Sequence, residues 1–355
     1  MRRGGGQTGL VRPAPDYASP ETVRKAGVPQ CEKVVKELAR PATHRRGTAP
    51  DTAWAFIGGE YVPVRDARIS VMTHAFNYGT GVFEGIRAYW NPKHEQLYGL
   101  HLREHFERLH RSCRIMRIGL PYTVDELVGI TCEILRRSKF REDAYIRPLA
   151  YMSSELIGVR LHDLDHGFTM FAVPFGNYVE IDSGLSVCVS SWRRVDDNAI
   201  PARCKITGSY VNAALAKTEA QEAGFDEAIV LTNDGHVSEG SAANLFMVRD
   251  GVLVTAPATD NILEGIVRAS VMRVAKDEGI PVEIRSIDRT ELYIADELFL
   301  CGTGVQMSSI TSVDHRKIGS GEIGPVSRRL GEIYFGAVRG DVERYKDWVT
   351  PVYTS

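Results

Sequence analysis

Apolar side chains recur at Leu102, Phe106, Leu109, Cys113 and Met116, a helical spacing that predicts an amphipathic helix over residues 101–116. Further helical stretches are expected over 124–139, 211–223, 266–278 and 324–337. Short β-favouring runs alternate with them. Residues 54–57 and 61–64 flank Gly58-Gly59 and read as a hairpin. Other strands are expected within 80–90 and over 96–99, 144–152, 168–173 and 185–192. In the second half they are expected over 228–231, 244–248, 252–254, 282–285 and 297–300. Asn233-Asp234-Gly235 and Asp250-Gly251 mark turns, and residues 174–182 carry the Pro, Gly and Asn of a connection. Strands and helices mix in both halves without regular βαβ alternation, so the fold class is α+β rather than doubly wound.

Length and composition narrow the picture. At 355 residues the chain accommodates two domains and a substantial core. The expected division is a small N-terminal α/β domain over 51–173, a connection over 174–184 and a large domain over 185–355. Residues 1–50 hold ten Lys/Arg against four Asp/Glu and are broken by glycines and prolines, which predicts a mobile or loosely docked basic extension. The net charge of −2 and the lack of a basic stripe argue against a nucleic-acid partner. No apolar run is long enough to span a bilayer. Six cysteines without a Cys-x-x-Cys pair suggest free thiols in a reducing cytoplasm.

One stretch stands out chemically: Arg203-Cys204-Lys205-Ile206-Thr207-Gly208-Ser209-Tyr210, just ahead of a predicted helix. A Schiff-base lysine needs such a place, partly desolvated and flanked by small residues that admit a flat cofactor. A phosphate needs a guanidinium and free N–H groups at a helix start. Arg103 and the turn Gly265-Ile266-Val267 are the candidates, with Gly302-Thr303-Gly304 where the chain leaves a strand. A ring nitrogen that must stay protonated needs a carboxylate, and Glu239 lies in a small-residue turn. Each residue alone also reads as a surface charge or loop punctuation. His101 with His105, and the run from His162 to His166, lack the zinc-protease pattern, so no metal is expected. Gly79 to Gly85 fails the dinucleotide spacing, and no Gly-x-Ser-x-Gly elbow occurs.

Taken together, the motifs resemble those of the branched-chain aminotransferases, class IV (fold type IV) pyridoxal-phosphate enzymes. The run from Tyr78 to Arg87 (Tyr-Gly-Thr-Gly-Val-Phe-Glu-Gly-Ile-Arg) looks like the family's N-terminal signature. Arg103-Glu104-His105, Arg108-Leu109, Tyr145-Ile146-Arg147-Pro148, Ser190-Ser191-Trp192, Lys205 with Tyr210, Ser238-Glu239-Gly240, Asn244-Leu245-Phe246 and Gly302-Thr303 follow in order. The resemblance implies a small open domain, a larger pseudo-barrel domain and bound pyridoxal 5'-phosphate. It implies transfer of the amino group of leucine, isoleucine or valine to 2-oxoglutarate.

By the same resemblance Lys205 would carry the Schiff base and move the proton between substrate and cofactor. Glu239 would pair with the ring nitrogen and Tyr210 with the ring's phenolic oxygen. Arg103, Gly265, Ile266, Val267 and Thr303 would hold the phosphate. The substrate carboxylate would meet Tyr145, Thr303 and Gly304. Tyr78, Phe83, Val159 and Tyr178 would wall the side-chain pocket, Arg147 would reach a distal carboxylate, and Arg87 would support them. A homodimer or higher homo-oligomer is implied, with the segment around Gly158 entering the neighbour's pocket. Val267 stands where the family often has threonine, and Ala243 where it commonly has glutamate. Other enzymes of this fold, acting on D-amino acids, (R)-amines or aminodeoxychorismate, share the lysine and glutamate. A non-catalytic ligand-binding protein on the same scaffold is the alternative from another class.

Overall fold

The computed structural model describes residues 50–176 and 183–353. Its first half runs β1 (Trp54–Ile57), β2 (Glu60–Pro63), α1 (His74–Tyr78), β3 (Gly81–Phe83), β4 (Ile86–Asn91), β5 (Gln96–Leu100), α2 (Leu102–Ile115), α3 (Val124–Ser138), β6 (Ala144–Met152) and β7 (His166–Pro174). The second half opens with β8 (Leu185–Arg193), α4 (Tyr210–Glu222), β9 (Glu227–Leu231), β10 (Val237–Gly240), β11 (Asn244–Arg249) and β12 (Val252–Thr255). It continues through α5 (Ile266–Asp277), β13 (Val282–Ile284), β14 (Glu297–Gly302), β15 (Gln306–Val313), β16 (Arg316–Lys317), α6 (Pro325–Val338) and β17 (Val349–Pro351).

These strands form two sheets, and the class is α+β as the pattern predicts. The first sheet has the order β17-β5-β4-β6-β7-β1-β2, with β3 beside β6, and every pair in it is antiparallel. The second has the order β10-β9-β8-β15-β14-β11-β12-β13, with parallel pairs at β8/β9, β8/β15 and β12/β13. β17 returns from the end of the chain to the first sheet.

Local chemistry explains the helices that matter for the site. Thr123 and Glu126 close a reciprocal capping box at the start of α3, and Arg136 and Arg137 oppose the dipole at its end. α2 turns Leu102, His105, Phe106, Arg108, Leu109 and Cys113 inward. Its apolar members share a core with α3 and the first sheet. α5 and α6 pack Val267, Val271, Val274, Leu330 and Tyr334 with Phe246 and Phe299 of the second sheet.

Three differences from the expected elements have physical causes. The run 80–90 is two strands, not one, because the chain breaks at Glu84-Gly85 opposite Pro148. Glu84 N–H donates to the Pro148 carbonyl there at 3.0 Å, and Pro148 offers no N–H in return. Glu239 sits on β10 rather than in a turn, and the β9/β10 register shifts between Val237 and Glu239. β15 carries Ser308, Ser309, Thr311 and Ser312, so its sequence lacks a clean apolar alternation, yet it pairs with β14 on one side and β8 on the other.

Candidate functional site

Lys205 lies in the segment between β8 and α4, and that segment is stitched to β3. Phe83 N–H donates to the Lys205 carbonyl at 3.0 Å, Thr207 N–H to Gly81 at 2.8 Å and the Thr207 hydroxyl to Gly79 at 2.7 Å. Gly79 has φ +67°, and a Cβ there would come within 2.7 Å of Gly208 Cα. Two glycines therefore permit the approach that fixes the lysine. The side-chain nitrogen stands 5.3 Å from the ring centroids of both Phe83 and Tyr210, whose rings meet edge to face at 4.8 Å. Lys205, Phe83 and Tyr210 line a cavity of about 340 Å³.

Across that cavity Glu239 is buried, and three donors hold it. Arg194 Nη2 is 2.9 Å from Oε1, while Asn244 Nδ2 and Leu263 N–H donate to Oε2 at 2.9 and 3.1 Å. Burial pushes the carboxyl upward, and Arg194 and the Leu263 N–H pull it back. Arg194 and Asn244 were not among the expected site residues. Asn244 stands in a recognised motif, but only the turn closed by Gly240 N–H on the Ala243 carbonyl at 2.7 Å brings its amide back to Glu239.

One end of the cavity is formed by the start of α5. Gly265 is its N-cap without a side-chain cap, and Gly265, Ile266 and Val267 all line the cavity. The first N–H groups of the helix are thus offered to a ligand, an arrangement that favours a phosphate. A Cβ on Gly265 would come within 1.9 Å of Asn244 Oδ1, so glycine is required for the approach. The arginine here is Arg108, not Arg103. Arg103 points away to an exposed pair with Asp125 and does not line the cavity. Residues five apart on a helix face roughly 140° away from each other. Arg108 lines the cavity, donating to the Glu264 carbonyl at 2.9 Å and, as a fork, to both oxygens of Glu84 at 2.7 Å. His105 Nδ1 meets the same carboxylate at 2.8 Å. Arg108 lies on the buried side of α2 with His105 and Ser112, an edge of the helix that the apolar spacing alone does not mark.

At the opposite end, Arg147 Nη2 donates to the Tyr145 hydroxyl at 2.7 Å, and its guanidinium lies 4.4 Å over the Phe83 ring. It forms no ion pair among the described residues. Gly85 makes room for Tyr145, since a Cβ there would come within 2.4 Å of the hydroxyl. Thr303 and Gly304 line the cavity too. Arg87 does not. It is buried behind that turn, donating to the carbonyls of Thr303 and Gly304 at 2.8 and 3.2 Å and of Phe175 and Gly176 at 3.3 and 3.0 Å. It shapes the turn without facing the cavity.

The remaining wall residues are placed elsewhere. Tyr78 lies on α1, its hydroxyl accepting from Gly158 N–H at 3.2 Å, and Val159 is 89% exposed. Neither lines this cavity. Tyr178 falls outside the described residues.

A lysine framed by two rings, a buried carboxylate facing it and an uncapped helix start form a receptacle for a planar, nitrogen-containing phosphate ester. That defines a class of lysine-dependent cofactor enzymes. The chain belongs to the class IV aminotransferases: the family described as "Amino-transferase class IV" matches residues 81–313. It is 50% identical over 301 residues to the probable branched-chain-amino-acid aminotransferase of Aquifex aeolicus, covering 84% of this chain and 97% of that protein. Among solved structures, branched-chain aminotransferase from Thermoproteus uzoniensis with norvaline superposes with a TM-score of 0.81 at 44% identity, covering 84% of this chain and 99% of that one. The branched-chain amino acid aminotransferase from Thermobaculum terrenum in its PLP-bound holo-form gives a TM-score of 0.82 at 36% identity, covering 86% and 99%.

Proposed function

We propose that this enzyme transfers the amino group of L-leucine, L-isoleucine or L-valine to 2-oxoglutarate with pyridoxal 5'-phosphate. The observation that carries the reading is the cavity itself. Lys205 and Glu239 serve its centre, and Arg147, which has no ion-pair partner among the described residues, stands beside the apolar Phe83 at one end. One pocket must accept an aliphatic side chain and a distal carboxylate in turn, and this end offers both surfaces. The fit to the cofactor rests on the buried carboxylate of Glu239 and on the glycine approach at Gly265. When bound, pyridoxal phosphate supplies an electron sink that makes the substrate Cα hydrogen labile.

The residues divide the work as follows. Lys205 Nζ would hold the cofactor and, with it bound, would serve as the base that takes a proton from the substrate Cα and returns it. Glu239, kept in place by Arg194, would pair with the ring nitrogen and keep it protonated. Tyr210 would partner the ring's phenolic oxygen. Arg108 and the N–H groups of Ile266 and Val267 would hold the phosphate, with Thr303 at the same cavity. Tyr145 and the turn Thr303-Gly304 orient the substrate α-carboxylate, and Arg147 receives the distal carboxylate of glutamate.

We further read the enzyme as a homodimer. Tyr78, bonded to Gly158, and the neighbouring Val159, both expected to wall the pocket, lie outside this chain's cavity. Ile157 and Phe76 on the same two segments are 76% and 69% exposed. A second copy that covers them would receive them into its own pocket. The two sheets support a division into domains at 174–184, with β17 returning to the first. No helix among the described residues is long and apolar enough to cross a membrane. The buried thiols of Cys113, Cys132, Cys188, Cys204 and Cys301 suit a reducing cytoplasm.

The purified protein is expected to be yellow, its visible band bleached by borohydride and shifted by L-leucine. A Lys205→Ala variant that kept full transamination of L-leucine with 2-oxoglutarate would sink the mechanism. Comparing L-leucine, L-isoleucine and L-valine with D-alanine and (R)-1-phenylethylamine tests the substrate class. An active monomer in light scattering would overturn the dimer.

A further inference from the structure

Between β6 and β7, residues 153–165 form neither helix nor strand. Their position depends on α1. His74 is fully buried there, with Nε2 at 2.7 Å from the Gly158 carbonyl oxygen and Nδ1 at 2.7 Å from Thr80 Oγ1. A carbonyl only accepts, so Nε2 carries the hydrogen, and in the neutral ring Nδ1 accepts from the Thr80 hydroxyl. Gly158 N–H donates to the Tyr78 hydroxyl, and the His74 and Tyr78 rings lie 4.6 Å apart. Both backbone polar groups of Gly158 are therefore held by α1. His74 N–H also donates to the Ser154 carbonyl at 2.9 Å.

The clamp holds two apolar side chains out in solvent. Ile157 and Val159, on either side of Gly158, are 76% and 89% exposed. Leaving them there is unfavourable unless another surface covers them. On the other side of His74, Thr80 sits between Gly79 and Gly81, whose carbonyls accept from Thr207 in the lysine segment. The histidine thus sets the loop against the frame that also fixes Lys205.

We propose that His74 is a positioning residue for the substrate pocket of the second copy: it clamps Gly158 so that Ile157 and Val159 enter that pocket in a fixed pose. It touches no substrate. The proposal rests on the homodimer reading above.

The test uses full-length holoenzyme. His74→Phe keeps the ring volume and loses both hydrogen bonds, whereas His74→Gln keeps a donor toward Gly158. His74→Phe is expected to remain dimeric with its full visible cofactor band. It should raise KM for L-leucine and 2-oxoglutarate roughly tenfold and speed amide exchange of residues 156–160, and His74→Gln should recover most of both. Mixed dimers of His74→Phe with Lys205→Ala locate the effect. Their only lysine-bearing pocket takes its loop from the protomer with an intact His74, so KM should return to the wild-type value. Unchanged KM and exchange in His74→Phe overturn the proposal, as does a KM that stays high in the mixed dimer. If His74→Phe fails to fold, Thr80→Val removes the donor to Nδ1 and is read in the same way, with a smaller effect expected. A wild-type enzyme active as a monomer overturns the homodimer reading separately, before any variant is made.

Discussion

Arg194 and Glu239 meet at 2.9 Å beside the cavity, where the carboxylate is only 3% exposed. Burial raises the Glu239 carboxyl and Arg194 is the largest opposing influence. Arg194→Met leaves burial less opposed, so Glu239 takes up a proton nearer neutrality and would no longer serve the ring nitrogen in the proposed role. Transamination is expected to fall roughly 100-fold, the scale of losing a preorganised charge at a reacting centre. The cofactor-free variant also gives a stability signature. A carboxyl raised in the folded state contributes its stability fully below the unfolded value of about 4.3, and loses it as pH rises through the folded value. The melting temperature of Arg194→Met should therefore fall more steeply than wild type as pH rises above about 5.

Glu84 behaves in the opposite sense. Burial pushes its carboxyl up, but the Arg108 fork and His105 outweigh that and hold it far below the usual carboxylate range. Glu84→Gln leaves Arg108 buried without its counter-charge, which costs about 3–5 kcal/mol. Urea unfolding at neutral pH measures the loss. A depressed carboxyl contributes above its unfolded value and loses that contribution as pH falls through the folded one, so the gap between wild type and variant should narrow only below about pH 4.

Two arginines on one helix separate surface from site. Arg108→Ala should weaken cofactor binding roughly 10–150-fold, the range for losing a charged hydrogen bond of about 1.5–3 kcal/mol. Arg103→Ala should leave it within about twofold, since exposed ion pairs contribute little. Titrating the apoenzymes with pyridoxal phosphate and following the visible band distinguishes them. Equal losses would return Arg103 to the site.

Gly85→Ala probes the substrate end alone. The added Cβ would lie 2.4 Å from the Tyr145 hydroxyl, which accepts from Arg147. The ring must move and Arg147 with it. KM for 2-oxoglutarate should rise roughly tenfold or more, by the scale of a small misplacement of a binding group, with the cofactor band unchanged. Steady-state kinetics with varied 2-oxoglutarate gives the answer.

The hydrophobic pattern determined the strands and helices, and the motif around Lys205 located the chemical centre, because both are written in local sequence. Spacing along the chain could not say which arginine of α2 faces inward. Arg103 and Arg108 sit in similar company, and helix phase against the sheet decided between them. Nor could it show that Arg194 and Asn244 converge on Glu239, which depends on the pairing of β8 with β9 and β9 with β10 and on the turn that Gly240 N–H closes to the Ala243 carbonyl. Arg87 reads as a supporting residue of the pocket, and only the fold shows that what it supports is the turn 303–304. Tyr78 and Val159 read as walls of one pocket until the fold carries Tyr78 to Gly158 and leaves the neighbouring Val159 exposed, both away from this chain's cavity. The sequence by itself determined the elements, the lysine and the acid. Tertiary structure decided which side chains reach them, because direction in space is set by packing and register rather than by position in the chain.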